Sequence, residues 1–441
     1  HASSIFKVQR RLWLMAASTA APKVAVVGAG VAGLVCAKEL EKAGIDIELF
    51  EAADRVGGRV QTDYYQGYKL DLGFQILLDA YPEARRHLDY SSLSLRCFAP
   101  GAVLAHAGQL KVVAHPLKYP WQLLGTFRTA LAWGLMSSVM DVLRLLKLVV
   151  HWIFSSPYRQ LETASKVQTT SALLKDLGLS NNMVNQFLRP FFEAIYVSPL
   201  QEQSSAMFNF VLRMLAFGGA ALPERGMRAI PEYLASTLKG QIRLSTSVEE
   251  VRSSGVKVDG DWKSFDAVVV ATAWPAASSM LALSPPRATR SATWYFALQS
   301  PPPVADPLII LQSYGKDDPC ESELMRSRVV NIGFPSTVQP SYAPPGHALA
   351  AVTVMGMQAE EAWVRSQVES MLGMDCSSWQ LLRKYDIGFH QPAQVPLQLP
   401  GDVATSVDGI FCCGDHRSYP TLDGAMLSGR LVAAAVAQQL V

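Results

Sequence analysis

The sequence predicts an α/β fold built on a parallel sheet, with one discontinuous domain interrupted by a second, α+β domain. Three observations carry this. The apolar run Lys23–Val27 leads through Gly28-Ala29-Gly30-Val31-Ala32-Gly33 into a helical stretch. The run Ala267–Ala271 (AVVVA) is apolar throughout, as a strand buried on both faces must be. Gly409–Cys413 repeats that character shortly before a final helix over Gly424–Gln439. Elements of this type at the start, near residue 270 and at the C-terminus assemble most simply into one Rossmann-type sheet. A ligand would lie where its strand C-termini open, at the junction with the second domain.

In chain order, Gly33–Ala43 reads as a helix and Ile45–Phe50 as the next strand. That closes a strand–helix–strand unit within about 30 residues. Ser91–Leu222 reads as mainly helical, from long Leu-rich periodic stretches. Gly240–Val251 and Gly255–Ala273 return to strand character. Arg290–Leu311 and Leu349–Val354 read as further strands, with Pro-rich turns between them. Ser300–Pro307 and Pro335–Pro345 are loops too short to link independent domains. The first domain is therefore assigned residues 23–90, 225–275 and 400–441. The second takes 91–224, its helical subregion, and 276–399.

A chain of 441 residues holds about three domains' worth of sequence, or two large ones. Hydrophobic residues make up 49% and charged residues 17%, against a usual charged share of about 25%. This excludes a disordered chain. It also predicts apolar surface facing a membrane, a protein partner or an apolar ligand. The formal charge of +2 gives no reason to expect nucleic acid. Cys36, Cys97, Cys320, Cys376, Cys412 and Cys413 show no paired C-x-x-C spacing, so no metal site is expected, and they read as inert thiols. No transmembrane helix stands out. In Trp121–Ser156, however, Leu143, Leu146, Val150 and Phe154 recur at helical spacing beside Arg144 and Lys147. This is either a core helix or one lying in a membrane surface. Residues 1–22 hold Lys7, Arg10 and Arg11 and no acid. They read as the remnant of an organellar transit sequence, or as a foreign leader before a start at Met15.

The first motif fits a dinucleotide. Gly28 permits the tight turn, Gly30 lets a pyrophosphate approach the backbone, and Gly33 lets helix and strand pack. The helix N-terminus receives the phosphate charge. Glu51, ending the second strand, can accept from ribose hydroxyls. A second block follows at once: Glu51-Ala-Ala-Asp-Arg-Val-Gly57-Gly58-Arg59-Val-Gln-Thr62. Its glycine pair lets the backbone follow a further stretch of ligand, with Arg59 near the phosphates. Next comes Asp71-Leu72-Gly73-Phe74-Gln75. The last blocks are Gly409-Ile-Phe-Cys-Cys-Gly414-Asp415 and Gly424-Ala425-Met426-Leu427-Ser428-Gly429-Arg430.

Together these blocks resemble the flavin amine oxidase, phytoene desaturase and protoporphyrinogen oxidase superfamily, whose members bind FAD. The resemblance implies an FAD-binding domain with Asp415 at the ribityl or phosphate region. It places Gly424, Ala425 and Met426 at the isoalloxazine ring, where the helix dipole stabilises negative charge on the reduced flavin. It sets Gly73, Phe74 and Gln75 beside the flavin, and the backbone of Val248 at the adenine end. Gly226-Met-Arg-Ala-Ile-Pro231 looks like the family's return from the helical region into the flavin domain. FAD is expected to be non-covalent. With one GxGxxG fingerprint, no nicotinamide is expected, and electrons would leave to O2 or a quinone.

Two departures bear on the reaction. Family amine oxidases commonly carry a lysine on the strand after the Ala271-Thr272 element, and this chain has none between Lys263 and Lys316. They commonly place an aromatic residue where this chain has Thr421. The expectation is therefore an oxidoreductase that desaturates or isomerises a large hydrophobic substrate, such as a carotenoid or porphyrinogen. One alternative is an amine or amino-acid oxidase with an atypical cage from Tyr385–His390. The other is a flavin-binding, non-catalytic subunit or assembly factor of a membrane complex. His416 and Tyr419 are the candidate acid–base groups, and Arg189 reads as a buried structural cation. Expected partners are a hydrophobic small molecule, a membrane surface touched through 121–156, and a protein complex. The expected location is an organelle, a plastid ahead of a mitochondrion.

Overall fold

A computed structural model describes residues 21–440, apart from 115–118, 133–134, 159–160, 162–166, 285–286, 315–327, 357–358 and 398–408. The leader assignment at 1–20, Cys320 and the domain residues 400–408 lie outside the described residues.

A five-stranded parallel sheet forms from Gln241–Arg243, Asp46–Phe50, Lys23–Val27, Ala267–Val270 and Ile410–Cys412, in that spatial order. Val24 and Val26 face one core with Ala267 and Val269. Ala25 and Val27 face another with Val268. Burial on both sides is why these strands carry unbroken apolar sequence. On the first face lie the helix Val31–Lys42 and the C-terminal helix Leu422–Leu440. A Cβ at Gly429 would stand 2.2 Å from the Ala32 carbonyl oxygen, so the two helices touch backbone to backbone. On the second face sits an antiparallel meander of Val248–Arg252, Gly255–Val258 and Asp261–Ser264. The stretch Gly240–Val251 thus divides between two sheets, because a turn at Ser245, φ 50°, separates its halves.

A second, seven-stranded sheet runs in the order Gln380–Ile387, Ser291–Leu298, Ala348–Met355, Arg328–Gly333, Ile309–Gln312, Gly101–His106, Gln109–Ala114. One face is covered by the helix Glu361–Leu372 through Val364, Val368 and Met371. The other looks toward the helical subregion and the parallel-sheet domain. The single stretch Arg290–Leu311 is two strands of this sheet, separated by the Pro-rich loop.

Ser91–Leu222 is mainly helical, and the hairpin Gly101–Ala114 is an addition to that reading. Its tight turn at Ala107 (φ 47°) and Gly108 (φ 73°) joins His106 to Gln109, a primed-turn geometry that matches strand twist. The apolar residues on either side suited a helix as well as a strand, and only the turn decided between them. Beyond the hairpin the subregion is helical, with Leu123–Ala132, Leu135–Ile153, Thr170–Asp176, Arg189–Tyr196 and Ser205–Phe217. Among the described residues, no helix is long and apolar enough to cross a membrane.

Candidate functional site

The glycine loop lies where the first strand ends. Gly28, at φ +105°, donates its N–H to the Phe50 carbonyl at 2.7 Å. A Cβ on Gly33 would stand 2.1 Å from the Gly28 carbonyl oxygen, so packing itself demands glycine there. Gly30 differs. Its φ of −70° and ψ of 172° suit any residue, and a Cβ there would meet nothing within 4 Å. The backbone at Gly30 therefore borders open space at a helix N-terminus, the form of a phosphate cradle.

The second glycine block folds against this loop. Gly57, at φ +119°, donates its N–H to the Ala29 carbonyl at 2.8 Å. A Cβ on Gly58 would stand 3.4 Å from Gly30 Cα. Glu51 fixes the loop from beneath: Oε2 accepts from the Ala29 N–H at 2.7 Å, and Oε1 from the Ala53 N–H at 2.9 Å. Arg59 then reaches across the chain. Its Nη2 lies 2.7 Å from Asp415 Oδ1, and its Nη1 donates to the His390 carbonyl at 3.0 Å. The guanidinium also lies 5.1 Å from the centre of the Phe389 ring. One side chain thus joins the second sequence block, the last one and the seven-stranded sheet's C-terminal extension.

Gln75 binds that junction, donating from Nε2 to the Arg59 carbonyl at 2.9 Å and the Leu72 carbonyl at 2.8 Å. Gly73 sits at φ +88° against Ile387, and Phe74 meets Phe98 edge-on at 6.1 Å. Gly414 donates its N–H to Ser428 Oγ at 3.1 Å, which ties the Gly-Asp turn to the last helix. That helix begins with Thr421 Oγ1 accepting from the Gly424 N–H at 2.9 Å. A Cβ on Gly424 would stand 2.0 Å from the Tyr419 carbonyl oxygen. Ala425 and Met426 follow in the first turn, Met426 fully buried. Direct contacts thus join Gly28, Gly30, Gly33, Glu51, Gly57, Gly58, Arg59, Gln75 and Asp415. Val248 stands apart, with its side chain in the core beside Phe50 and Val268.

The two acid–base candidates are spent in internal contacts. His416 stacks on Trp274 at 5.7 Å, and its Nε2 lies 3.6 Å from Cys412 Sγ. Burial pushes its pKa down to about 4. Tyr419 is fully buried, donates to Asp423 Oδ2 at 2.7 Å and packs on Phe210. Tyr419 is thus engaged through its hydroxyl, whereas His416 Nδ1 is buried with no hydrogen-bond partner among the described residues. The alternative cage is also engaged: Tyr385 donates to Asp63 Oδ2 at 2.8 Å, and His390 Nδ1 lies 2.8 Å from Ser291 Oγ. Arg189 pairs with the buried Glu193 at 3.0 Å.

Two buried carboxylates escaped the sequence reading. Burial raises Asp71 to about 6, although its Oδ1 accepts from Thr62 Oγ1 and the Met227 N–H and its Oδ2 from the Tyr342 hydroxyl. This network docks the Gly226-Met227 return segment. Burial likewise raises Asp423 to about 6; its Oδ1 accepts the Glu83 N–H at 2.7 Å. Their signal lay in position, immediately before Leu72-Gly73 and Gly424, but exposure cannot be read from a single sequence.

The family described as flavin containing amine oxidoreductase matches residues 31–437. A curated relative, the 4,4'-diapophytoene desaturase (4,4'-diaponeurosporene-forming) of Staphylococcus aureus (strain Newman), is 23% identical over 287 residues. That match covers 59% of this chain and 57% of the desaturase. Among solved structures, an oxidoreductase from Methanosarcina mazei superposes with a TM-score of 0.70 at 17% identity, covering 93% of this chain and 100% of that one. Putrescine oxidase bound to putrescine gives 0.62 at 18%, covering 95% and 99%. Reduced UDP-galactopyranose mutase gives 0.66 at 13%, covering 95% and 94%. At these identities the structural likenesses establish the fold.

Proposed function

The chain belongs to the flavin-containing amine oxidoreductase family and its cofactor is FAD; on that premise we propose that it desaturates or isomerises a large hydrophobic substrate, a carotenoid or porphyrinogen-like molecule. In desaturation bound FAD would take up the two electrons, and in isomerisation there would be no net electron transfer; in both the protein positions the substrate and excludes competitors. The Gly28–Gly33 loop and the glycine pair hold the pyrophosphate, Glu51 the ribose, and Arg59 with Asp415 the phosphate-to-ribityl stretch. The helix N-terminus at Gly424–Met426 would lie at the flavin ring and favour negative charge there. The acceptor of the electrons is O2 or a quinone.

One observation carries the substrate class. Leu124, Phe127, Leu131, Leu143, Leu146 and Ile153 are each at least 50% exposed on two successive helices of the subregion. The only carboxylate between residues 121 and 156, Asp141, is turned inward to the Ser180 N–H. Exposed Arg128 and Lys147 flank the band. This is the composition of a helix pair lying in a membrane surface, from which an apolar substrate can enter. The test is anaerobic mixing of the FAD-loaded protein with carotenoids, porphyrinogens and small amines. Flavin bleaching by either large apolar class supports the reading. Bleaching by amines alone rejects it.

A further inference from the structure

Opposed residues on neighbouring antiparallel strands project from the same face of a sheet. In the seven-stranded sheet Thr293 opposes Thr353, and Thr353 opposes Asn331. The three side chains form a row across three strands. They are 1%, 3% and 1% exposed respectively. Among the described residues, Thr293 Oγ1, Thr353 Oγ1 and Asn331 Oδ1 have no hydrogen-bond partner. Buried polar atoms are rarely left so, because each loses its hydration with nothing in return. Three in one row is an arrangement that awaits a partner.

The row's surroundings say where that partner lies. Tyr295, two residues after Thr293 on the same face, donates its hydroxyl to the Asp71 carbonyl at 2.9 Å. A Cβ on Gly73 would stand 3.9 Å from Thr293 Oγ1 and 2.5 Å from Ile387 Cδ1. Two residues after Asn331, a Cβ on Gly333 would stand 2.7 Å from the Phe74 ring. The Thr293 end of the row therefore lies beneath the Gly73-Phe74 turn, beside the proposed flavin site, and the strand that carries Asn331 passes under Phe74 two residues further on. Ile387 and Phe74 supply apolar surface next to it. The row is polar surface set in an apolar frame: Asn331 Oδ1 can only accept, and the two Thr hydroxyls can accept or donate.

We propose that Thr293, Thr353 and Asn331 recognise a hydrogen-bond donor, an N–H or O–H, carried by an otherwise apolar substrate. This rests on the hydrophobic-substrate reading above and narrows it. A pure hydrocarbon would leave all three oxygens unpaired on binding, whereas embedded N–H or O–H groups would satisfy Asn331 Oδ1, which can only accept, and could be accepted by the two hydroxyls as well. Such sites discriminate strongly, because the analogue lacking the donor leaves buried acceptors unmet.

The test titrates the FAD-loaded full-length protein with three probes, read by fluorescence quenching. They are protoporphyrin IX with its ring N–H groups, zinc protoporphyrin IX without them, and phytoene. The wild type should bind protoporphyrin IX at least tenfold more tightly than the zinc form, and more tightly than phytoene. Thr353→Val, which keeps the shape and removes the hydroxyl, should lose at least fivefold for protoporphyrin IX at unchanged FAD content and flavin spectrum. Asn331→Leu should do the same. Unchanged affinity in Thr353→Val, or equal binding of the free and zinc forms, overturns the proposal. A variant with altered flavin spectrum and unaltered probe affinity assigns the row to the flavin and also overturns it. Tighter binding of phytoene overturns it while leaving the hydrophobic-substrate reading intact. Binding of none of the three overturns both.

Discussion

Gly30 and Gly33 are both glycines of one fingerprint, yet the structure gives them opposite reasons to be glycine. At Gly33 an added Cβ would stand 2.1 Å from the Gly28 carbonyl oxygen and 3.0 Å from Ala271 Cβ. Neither neighbour is a flexible side-chain tip, so Gly33→Ala should destabilise the FAD-free protein by at least about 1–3 kcal/mol, the usual cost of overpacking. At Gly30 the backbone is already in a region open to alanine, and the added carbon meets nothing. Gly30→Ala should leave the FAD-free protein as stable as before, or more stable by about 0.4–1 kcal/mol through loss of unfolded-state freedom. The same carbon fills the space where a phosphate approaches. Losing one charge-assisted hydrogen bond there, worth about 1.5–3 kcal/mol, weakens FAD binding on the order of tenfold to a hundredfold. Urea unfolding after FAD removal measures the first quantity, and quenching of flavin fluorescence on rebinding measures the second. If Gly30→Ala binds FAD within twofold of the wild type, the cradle assignment fails. If it unfolds as readily as Gly33→Ala, the distinction between the two glycines fails.

Arg59→Ala removes the tie to Asp415 and to the His390 carbonyl, and should weaken FAD binding at least tenfold; unchanged affinity would place Arg59 outside the cofactor site. Thr421→Ala removes the hydroxyl that caps the last helix and should cost about 1 kcal/mol in urea unfolding. Leu143→Glu combined with Leu146→Glu should lower binding to vesicles containing anionic lipid at least tenfold while FAD content stays constant, and undiminished binding rejects the membrane reading. The pH dependence of folding has opposed parts. Burial lowers His390 and His416 to about 4, so the unfolded chain binds protons first and their stability is lost as pH falls from 6.5 to about 4. Burial raises Asp71 and Asp423 to about 6, so their stability is lost as pH rises from 3.8 through 6. The two pairs nearly offset between about pH 4.5 and 6. His390→Asn should expose the carboxylate part, with stability falling on the order of 1.4 kcal/mol per unit as pH rises across that window. A flat profile in the variant refutes the burial argument.

The glycine turns were legible because their constraints are local. A tight turn, a close helix contact and a glycine pair each fix residue type within a few positions, so Gly28, Gly33 and Gly57 announce their place in the fold. The parallel strands were legible for a similar reason: burial on both faces leaves no polar residue in Val24–Val27 or Ala267–Val270. The hairpin at Gly101–Ala114 was not, since its strands are as apolar as the helices after them. Nor was the tie from Arg59 to His390, whose partners are 331 positions apart. The surroundings of His416 and Tyr419 were not legible for another physical reason. Closeness in sequence to Asp415 and Gly424 limits where a Cα lies, but packing decides where the side chain points, and Trp274 and Phe210 draw both rings inward.

That contrast bears on the reaction itself. The same fold serves putrescine oxidase and UDP-galactopyranose mutase, so a cradle for the dinucleotide cannot select among reactions. Selection must come from surfaces the cofactor does not need. In this chain two such surfaces stand out: the exposed apolar helix pair, and the face of the seven-stranded sheet beneath Gly73-Phe74. On the reading proposed above, the first would admit large apolar molecules without choosing among them. The second carries three buried oxygens without partners, of which Asn331 Oδ1 can be satisfied only by a donor. Entry and choice would then be separated in space. Substitutions in the helix pair should change how much substrate is captured from a membrane, whereas substitutions of Thr293, Thr353 or Asn331 should change which molecule is accepted once it is there.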